Sequence, residues 1–328
     1  MFPLLSVKIG VIIMKIVLLI AVMTTNIVVV VVWLLPKNRS SVSIILSLIA
    51  IYDTTTIFCG TVYSTTSYIA GNLSDESGCY IKVITAALAF IFHSSSILTT
   101  TYLACQRCVI CLFPFSGPRV CGSKTTVIFS VLSFVLITSM QIPEMLVRKV
   151  EGVMQLSDDN TSSMYCKKNY IINKDIMYEI SNIIWLIRLF TLHLIPALLI
   201  IFCMIACVVT VNRRKMVSGR SSDQRSKKRT TAMLVLIMLI FVLGEFPTTL
   251  GIFLDSFVPT ATNWFSTEDG IQFGNIILVV SFLLNIWVYI GMSKQFRNSL
   301  KELVCRSSKE PQTLSTHRCT SSSQQSTL

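Results

Sequence analysis

Apolar residues in this chain are gathered into seven long runs that carry almost no charge. The runs occupy residues 11–35, 42–68, 83–113, 125–147, 180–212, 231–254 and 271–292. An α-helix needs about 20 apolar residues to cross a bilayer, and each run is long enough. The pattern predicts an all-α membrane protein, built as a bundle of seven transmembrane helices.

Composition and the first run agree with this interpretation. Hydrophobic residues make up 52% of the 328 residues and charged residues 13%, whereas soluble domains have about 25% charged residues. The first run is also too long for the core of a cleavable signal peptide, which has about 7–15 apolar residues. We therefore expect it to remain as a membrane span.

The distribution of charge predicts the orientation of the chain. Lysine and arginine favour cytoplasmic loops, and 19 of the 28 basic residues fall in segments 36–41, 107–124, 213–229 and from 294 onward. The opposite loops hold eleven of the sixteen acidic residues. A multi-pass plasma-membrane protein is expected, with its N-terminus outside and its C-terminus in the cytoplasm. The net charge of +12 then reflects topology and contact with membrane lipid, and no nucleic-acid partner is expected.

The chain divides into a membrane domain, residues 1–305, and a cytoplasmic tail, residues 306–328. The tail is rich in serine and threonine and poor in apolar residues, so it is expected to be disordered. No internal repeat is visible, and an odd number of spans argues against the two inverted halves of many transporters.

The outer segments contain candidate sites of covalent modification. Cys79 and Cys166 are the two cysteines that fall in outer segments, where oxidation is permitted. A disulfide between them is expected, with two free thiols as the alternative. The sequons at Asn72 and Asn160 also lie outside and are candidates for glycosylation, whereas the sequon at Asn38 lies inside and should stay unmodified.

Ionisable residues within the runs are candidates for function, because charge at membrane depth is costly and usually faces a partner or a water-filled cavity. Asp53 lies near the middle of the second run. It either belongs to a sodium site with Ser96 and Asn285 or is a protonated, hydrogen-bonded structural aspartate. Both interpretations remain open.

Glu245, Arg188 and Arg107 are the other charged residues of interest. Glu245 precedes Pro247, which is expected to kink the sixth span and turn the carboxylate into the bundle. Glu245 either pairs with Arg188 in the fifth span or lines a pocket for a charged ligand. Arg107, at the inner end of the third span, is either a snorkelling anchor or part of a functional surface.

Several motifs occur in an order that resembles rhodopsin-like G-protein-coupled receptors. Asn26 and Asp53 are followed by the two outer cysteines and by "CQRC" around Arg107, where that family has an acidic-Arg-Tyr triplet. Prolines then stand in spans four, five and six, and "NIWVY" and "KQFR" mark the last span and a short helix after it. The stretches around "HSSSILTTTYLACQRC" and "FVLGEFPTTL" resemble invertebrate myosuppressin/FMRFamide neuropeptide receptors.

The resemblance implies a receptor that passes a signal to a heterotrimeric G protein when span six moves outward. It implies no cofactor and an arrestin contact through the tail. Cys305 lies in an amphipathic stretch beside the membrane and is a candidate for palmitoylation. Gln106 stands where the family has the acid that restrains Arg107, so raised basal signalling is expected. The residues implied in activation and coupling are Arg107, Asp53, Asn285, Tyr289, Pro247, Lys227, Lys228 and Arg229.

The ligand implied by the narrower resemblance is an extracellular peptide that ends in Arg-Phe-amide. Glu245 is the candidate partner for the ligand's arginine, and the acidic outer loops would steer a cationic peptide. The other candidate ligand-binding residues are Arg188, His93, Trp185, Phe246 and Asp255.

Other classes of function make different demands on these residues. An ion-coupled transporter or channel would use Asp53, Glu245 and Arg188 as an ion path. An intramembrane enzyme is not expected, because no Gly-x-Ser-x-Gly, His-Glu-x-x-His or paired catalytic aspartate motif is present. A non-signalling receptor with a different ligand remains the main alternative, because the triplet around Arg107 is degraded.

Overall fold

The computed structural model describes the backbone of residues 2–69, 76–156, 162–170, 183–184, 186–217, 222–257 and 268–307. Side chains are described over 10–66, 78–142, 186–213, 228–254 and 273–305, and at residues 183, 184, 257 and 270. The predictions for Asn72, Asn160, Trp185 and the tail from residue 308 lie outside these ranges. So do the predictions for the side chains of Cys166, Lys227 and Asp255.

Seven helices are long and apolar enough to cross a membrane, which confirms the predicted fold class. We number the spans one to seven. The membrane-crossing stretch of each helix begins and ends within about six residues of its apolar run, because the run ends where charged or turn residues would enter the bilayer. Several of the helices extend beyond that stretch. The helices are Phe2–Leu34, Ser41–Ile69, Glu76–Leu112, Ser123–Val147, Ile195–Val217, Ser222–Phe257 and Glu268–Met292.

The fifth span departs from a regular α-helix. Its membrane-crossing stretch is Leu186–Arg213, and it opens with a π-helix, Leu189–Leu194, ahead of the α-helix. A π-helix has an extra residue in its turn, and such turns are frequent at functional sites. Hydrophobic periodicity did not predict this feature, because the run is apolar on nearly every face.

Short elements join the spans. A 3-10 turn, Pro36–Asn38, follows span one, and a one-turn helix, Gly117–Val120, lies in the second inner loop. In the second outer loop two antiparallel strands, β1 (Arg148–Leu156) and β2 (Ser162–Tyr170), pair so that Gly152 faces Cys166. The tail helix, Lys294–Ser307, confirms the short helix expected after span seven.

An aromatic cluster joins the tail helix to the bundle. Trp33, Tyr289 and Phe296 come from span one, span seven and the tail helix, and their ring centroids lie 5.5–5.7 Å apart. Tyr289 and Phe296 are fully buried, so both contribute apolar area that is removed from solvent and lipid. This packing explains why the tail helix turns along the inner face after Met292.

Asn38 links the first inner loop to the tail helix. Its amide nitrogen donates to the Val32 carbonyl at 2.7 Å and to Ser299 Oγ at 2.9 Å, while its Oδ1 accepts a hydrogen bond from Gln295 Nε2 at 3.1 Å. Asn38 is only 3% exposed. An amide engaged in this way gives a structural reason for Asn38 to stay unmodified.

Spans three and five pack through small apolar and thiol side chains. Cys203 lies within hydrogen-bond reach of Cys105 and Cys108, and Cys207 within reach of Cys111. These thiols fill the space between the two helices as small apolar side chains do. They form part of a core with Ile97, Ala104, Ile200, Met204, Met238 and Phe241.

Candidate functional site

A cavity of about 730 Å³ opens between spans one, two, three, six and seven. Gly60, Ala86 and Ala89 carry no group larger than a methyl, and this leaves the space between the helices empty. Its wall is mainly apolar, with hydroxyl groups and two ionisable side chains. The polar and aromatic residues of the lining include Lys15, Tyr63, Ser64, Phe90, His93 and Phe282.

The cationic part of the lining is Lys15, which was not among the residues predicted for ligand binding. Its Nζ donates to Ser64 Oγ at 2.9 Å and so crosses from span one to span two. Nearby, Lys82 Nζ lies 5.5 Å from the centroid of the Tyr63 ring, within range of a cation–π interaction. A lysine four residues inside a long apolar run is a signal that could have identified Lys15.

His93 forms the ionisable floor of the cavity, and Glu245 lies buried behind it. His93 lines the cavity from span three, and its Nε2 lies 3.4 Å from Glu245 Oε2 on span six. Glu245 is 6% exposed, and its Oε1 has no hydrogen-bond partner within the described part of the chain. The structure therefore brings together two residues predicted for ligand binding, with an unused buried acceptor behind the histidine.

A second histidine lies beside this pair. The His193 ring, carried by the π-helix of span five, lies 6.4 Å from the His93 ring between centroids. His193 is also buried. At and behind the floor of the cavity, one carboxylate and two imidazoles from three different spans thus lie close together.

Arg188 does not pair with Glu245. It donates from Nη2 to the Met140 carbonyl at 3.1 Å, and its guanidinium carbon lies 4.8 Å from the centroid of the Phe90 ring. Among the described residues the ion-pair contact of Glu245 is with His93. The structural alternative of a Glu245–Arg188 pair is therefore wrong, and Arg188 contacts the cavity wall at Phe90.

The aromatic residues expected in the pocket divide into two groups. Phe282 is 2% exposed and lines the cavity. Phe246 is 60% exposed and does not line it, because it follows Glu245 by about 100° around the helix and so turns outward. A contact between Phe246 and the ligand stays a prediction, and this cavity does not provide it.

Asp53 lies deeper, between spans two and three. Ser96 Oγ donates to its Oδ1 at 2.6 Å. Ser96 is one of the residues predicted to share a site with Asp53. Asn26 bonds elsewhere, to the Ala50 carbonyl and Thr54 Oγ1. Asn285 is half-buried on span seven, and the sodium site with Asp53 and Ser96 stays a prediction.

Gln106 makes its own connections at the inner end of span three. Its Nε2 donates to Ser41 Oγ at 2.6 Å and to the Cys121 carbonyl at 3.0 Å, and Ser41 Oγ lies 2.6 Å from Thr126 Oγ1. Burial raises the pKa of the Cys121 thiol, with a smaller opposing effect from Arg107. We call the side chains of Gln106, Ser41 and Thr126 with the Cys121 carbonyl the inner polar network.

Arg107 lies next to this network without joining it. Within the described residues it forms no ion pair, and its Nε has no hydrogen-bond partner. This agrees with the sequence, in which Gln106 occupies the position of the acid that would pair with Arg107. The role of Gln106 as a connector of span three to span two and the second inner loop was not predicted.

Spans six and seven are joined at their inner ends through backbone carbonyls. Arg229 Nη2 donates to the Gly291 carbonyl at 3.0 Å, and Arg297 Nη1 donates to the Ile290 and Gly291 carbonyls. The last carbonyls of a helix lack partners within the helix and carry negative partial charge, so two arginines suit this position. Lys228 is exposed beside Arg229.

The predicted modification sites are partly described. Cys79 is in a disulfide, and its pairing with Cys166 stays a prediction. Cys305 is exposed on the tail helix and is not in a disulfide, as palmitoylation at the membrane surface requires. Pro247 lies inside the helix of span six, two residues after Glu245.

Seven spans around an outward-opening cavity with an ionisable floor, and basic side chains at the inner ends, define a seven-helix membrane receptor. The family model of the 7 transmembrane receptor (rhodopsin family) matches residues 25–289. The chain belongs to this family. It is therefore a plasma-membrane receptor of the G-protein-coupled class and not an enzyme.

Individual relatives are distant. Rhodopsin of Gallus gallus is 25% identical over 283 residues, which cover 82% of this chain and 73% of the relative. The blue-sensitive opsin of Conger conger is 25% identical over 279 residues, 80% of this chain and 72% of the relative. The sex peptide receptor of Drosophila melanogaster is 28% identical over 131 residues, 36% of this chain and 30% of the relative.

Proposed function

We propose that this receptor responds to an extracellular neuropeptide of the amidated Arg-Phe type. The observation that carries the proposal is the Glu245 carboxylate, buried behind His93 at the floor of the cavity with an unused acceptor. A buried carboxylate is costly unless it is paired and hydrogen-bonded. A guanidinium from a ligand would supply two parallel hydrogen bonds to it.

The remainder of the cavity suits the other end of such a peptide. Phe90 and Phe282 offer aromatic surface for a phenylalanine ring. The hydroxyl-bearing wall from span two offers acceptors and donors to an uncharged amide. Similarity to a sex peptide receptor supports a peptide ligand, and span seven, Phe273–Met292, contains no lysine that could form a Schiff base with an aldehyde ligand.

Activation would follow from a difference in affinity between two arrangements of the bundle. A ligand shifts the equilibrium only when it binds the active arrangement better than the resting one. Glu245 lies on span six two residues before Pro247, so a ligand that draws Glu245 away from His93 would act on the element that has to move. The inner end of span six would then separate from span seven and expose Arg107 to the G protein.

A heterotrimeric G protein is the partner that membership of the receptor class implies. Arrestin binding through the Ser/Thr-rich tail is part of the proposal. Because the chain belongs to a receptor family, the alternative of an ion-coupled transporter is not retained. Measurement of G-protein dissociation distinguishes a receptor for Arg-Phe-amide peptides from a non-signalling receptor or one with a different ligand.

The test measures G-protein dissociation in cells that express the chain, with amidated Arg-Phe peptides and with matched peptides in which citrulline replaces arginine. Glu245→Gln should lower the potency of the arginine peptide at least about 30-fold, the loss expected when one member of a buried charge pair is removed. The citrulline peptide should lose much less. Glu302→Gln, which removes an acid on the inner face, is the matched control.

Two results would overturn parts of this proposal. If surface-delivered protein gives no response to any Arg-Phe-amide, the ligand assignment fails and a different ligand or a non-signalling receptor remains. If the peptides are active but Glu245→Gln lowers the potency of both peptides equally, Glu245 is not the partner of the ligand's arginine.

A further inference from the structure

A second cleft lies at the inner ends of spans two and four, away from the ligand cavity. It has a volume of about 460 Å³ and is lined by Arg39, Ile44, Ser123, Lys124, Val127 and Ile128. We call this set of residues the inner cleft. None of these residues takes part in the ligand site or the inner polar network, so the receptor function leaves the inner cleft without a role.

The side chains of the inner cleft change character with depth in the membrane. Arg39 lies just before span two, which begins at Ser41, and Lys124 lies in the first turn of span four, which begins at Ser123. Ile44 and Val127 lie about one helical turn, ~5 Å, further into the bilayer. A pair of cations at the membrane surface above an apolar wall matches a phospholipid, with its phosphate above its acyl chains.

The two cations are available to a ligand. Within the described residues, neither Arg39 nor Lys124 forms an ion pair, whereas Lys37, two residues before Arg39, is paired with Glu302 on the tail helix. Spans two and four also both begin at the inner cleft, so the positive ends of two helix dipoles add to the side-chain charges.

The inner polar network holds the two walls of the inner cleft in place. Ser41, at the start of span two, and Thr126, in the first turn of span four, have hydroxyl oxygens 2.6 Å apart. Gln106 donates to Ser41 from span three behind them. The cleft is therefore built before a ligand arrives, and little ordering of the protein is needed for binding.

From this arrangement we propose that the inner cleft binds the phosphate headgroup of an anionic phospholipid from the cytoplasmic leaflet. Arg39 and Lys124 contact the phosphate, the Ser123 hydroxyl donates a hydrogen bond to it, and Ile44, Val127 and Ile128 contact the start of an acyl chain. Basic clefts between spans on the cytoplasmic side suit anionic headgroups, because that leaflet carries a negative surface potential.

The test is native mass spectrometry of the full chain in neutral detergent, with phosphatidylinositol 4-phosphate as the probe and phosphatidylcholine as the neutral reference. Arg39→Gln with Lys124→Gln should weaken binding of the anionic lipid about thirtyfold, since each cation near a membrane surface contributes about a fivefold factor. Arg119→Gln with Lys301→Gln removes two exposed inner cations outside the cleft and should change binding less than about twofold. Thermal unfolding checks that both variants remain folded.

A second comparison identifies the source of the phosphate. Ile128→Ser should weaken binding of the lipid and leave binding of soluble inositol phosphate unchanged, and the soluble compound should bind more weakly than the lipid. The proposal is overturned if the two double variants lose lipid equally, or if the cleft variant binds as tightly as the unmodified chain. Equal affinity for the soluble compound and the lipid would also overturn it, because the apolar wall would then contribute nothing.

Discussion

At the scale of single residues, Gln106 shows how a change of one side chain alters the connections around Arg107. A carboxylate at this position could pair with the neighbouring arginine but could not donate hydrogen bonds. The amide instead donates to Ser41 and to the Cys121 carbonyl. Span three is thus tied to its neighbours, while Arg107 is left without an acidic partner among the described residues.

Replacement of Gln106 by glutamate should therefore have two separable effects. Basal signalling should fall, because the carboxylate can pair with Arg107 and favour the resting arrangement. Stability should also fall by about 1 kcal/mol, because the partly buried Cys121 carbonyl loses its donor. Basal G-protein dissociation at matched surface expression and the thermal unfolding midpoint measure the two effects.

Gln106→Ala is the control for this substitution, since it removes the donor without adding an acid. It should lower stability but not basal signalling. Unchanged ligand-free signalling in Gln106→Glu would show that the missing acid does not set the basal activity of this receptor.

At the scale of helices, spans six and seven approach each other closely at Gly244. A methyl group added to Gly244 would lie 2.6 Å from Ser281 Oγ and 2.8 Å from Ser281 Cβ. Both distances are too short for non-bonded atoms, so the two helices would have to separate. Glycine at this position thus sets the distance between the two spans one residue before Glu245.

Gly244→Ala should consequently destabilise the protein by about 1–3 kcal/mol, the usual cost of overpacking a helix contact. Ser281→Gly in the same chain should restore most of the loss, because it removes the atoms that clash. Gly291→Ala is the matched control on span seven, where an added methyl group would meet nothing within 4 Å. Thermal unfolding in detergent gives the comparison, and a Gly244→Ala protein as stable as the Gly291→Ala protein would contradict the close approach.

The contact between Arg229 and the end of span seven also belongs to this scale. Arg229→Gln removes the hydrogen bond to the Gly291 carbonyl and should let the inner end of span six move outward more readily. The contact is exposed and so contributes about 1 kcal/mol at most, which corresponds to no more than about a fivefold shift in population. Spin labels on the inner ends of spans six and seven would report the separation without requiring a G protein.

Lys301→Gln removes one basic side chain elsewhere on the inner face and is the control for Arg229→Gln. The two variants should differ in the fraction of molecules with a large separation between the labels. Equal distance distributions would mean that the Arg229 contact does not restrain span six.

At the scale of the whole molecule, the seven-span topology determines which asparagines reach the glycosylation machinery. Asn72→Gln and Asn160→Gln should each remove a glycosidase-sensitive increase in apparent mass. Asn38→Gln should not, because Asn38 faces the cytoplasm and its amide is buried against Val32 and Ser299. Gel mobility before and after glycosidase treatment tests this, and a shift that depends on Asn38 would contradict the orientation.

The fold was accessible from the sequence, and the site was accessible only in part. The lengths of the apolar runs indicated seven spans, and charge at membrane depth identified His93 and Glu245 as neighbours of a pocket. The sequence did not decide whether His93 or Arg188 contacts Glu245, and the structure places His93 there. The π-helix, the two outer strands and Lys15 as a lining residue also required the structure.

The sequence by itself determined the number, position and orientation of the spans. Transfer of apolar and charged groups into a bilayer depends on local composition, and it adds up along a run of residues. The tertiary structure decided which polar groups meet: Glu245 with His93, Gln106 with Ser41, and Arg229 with the end of span seven. Such contacts depend on the rotation and separation of neighbouring helices, which packing determines and which a uniformly apolar run does not encode.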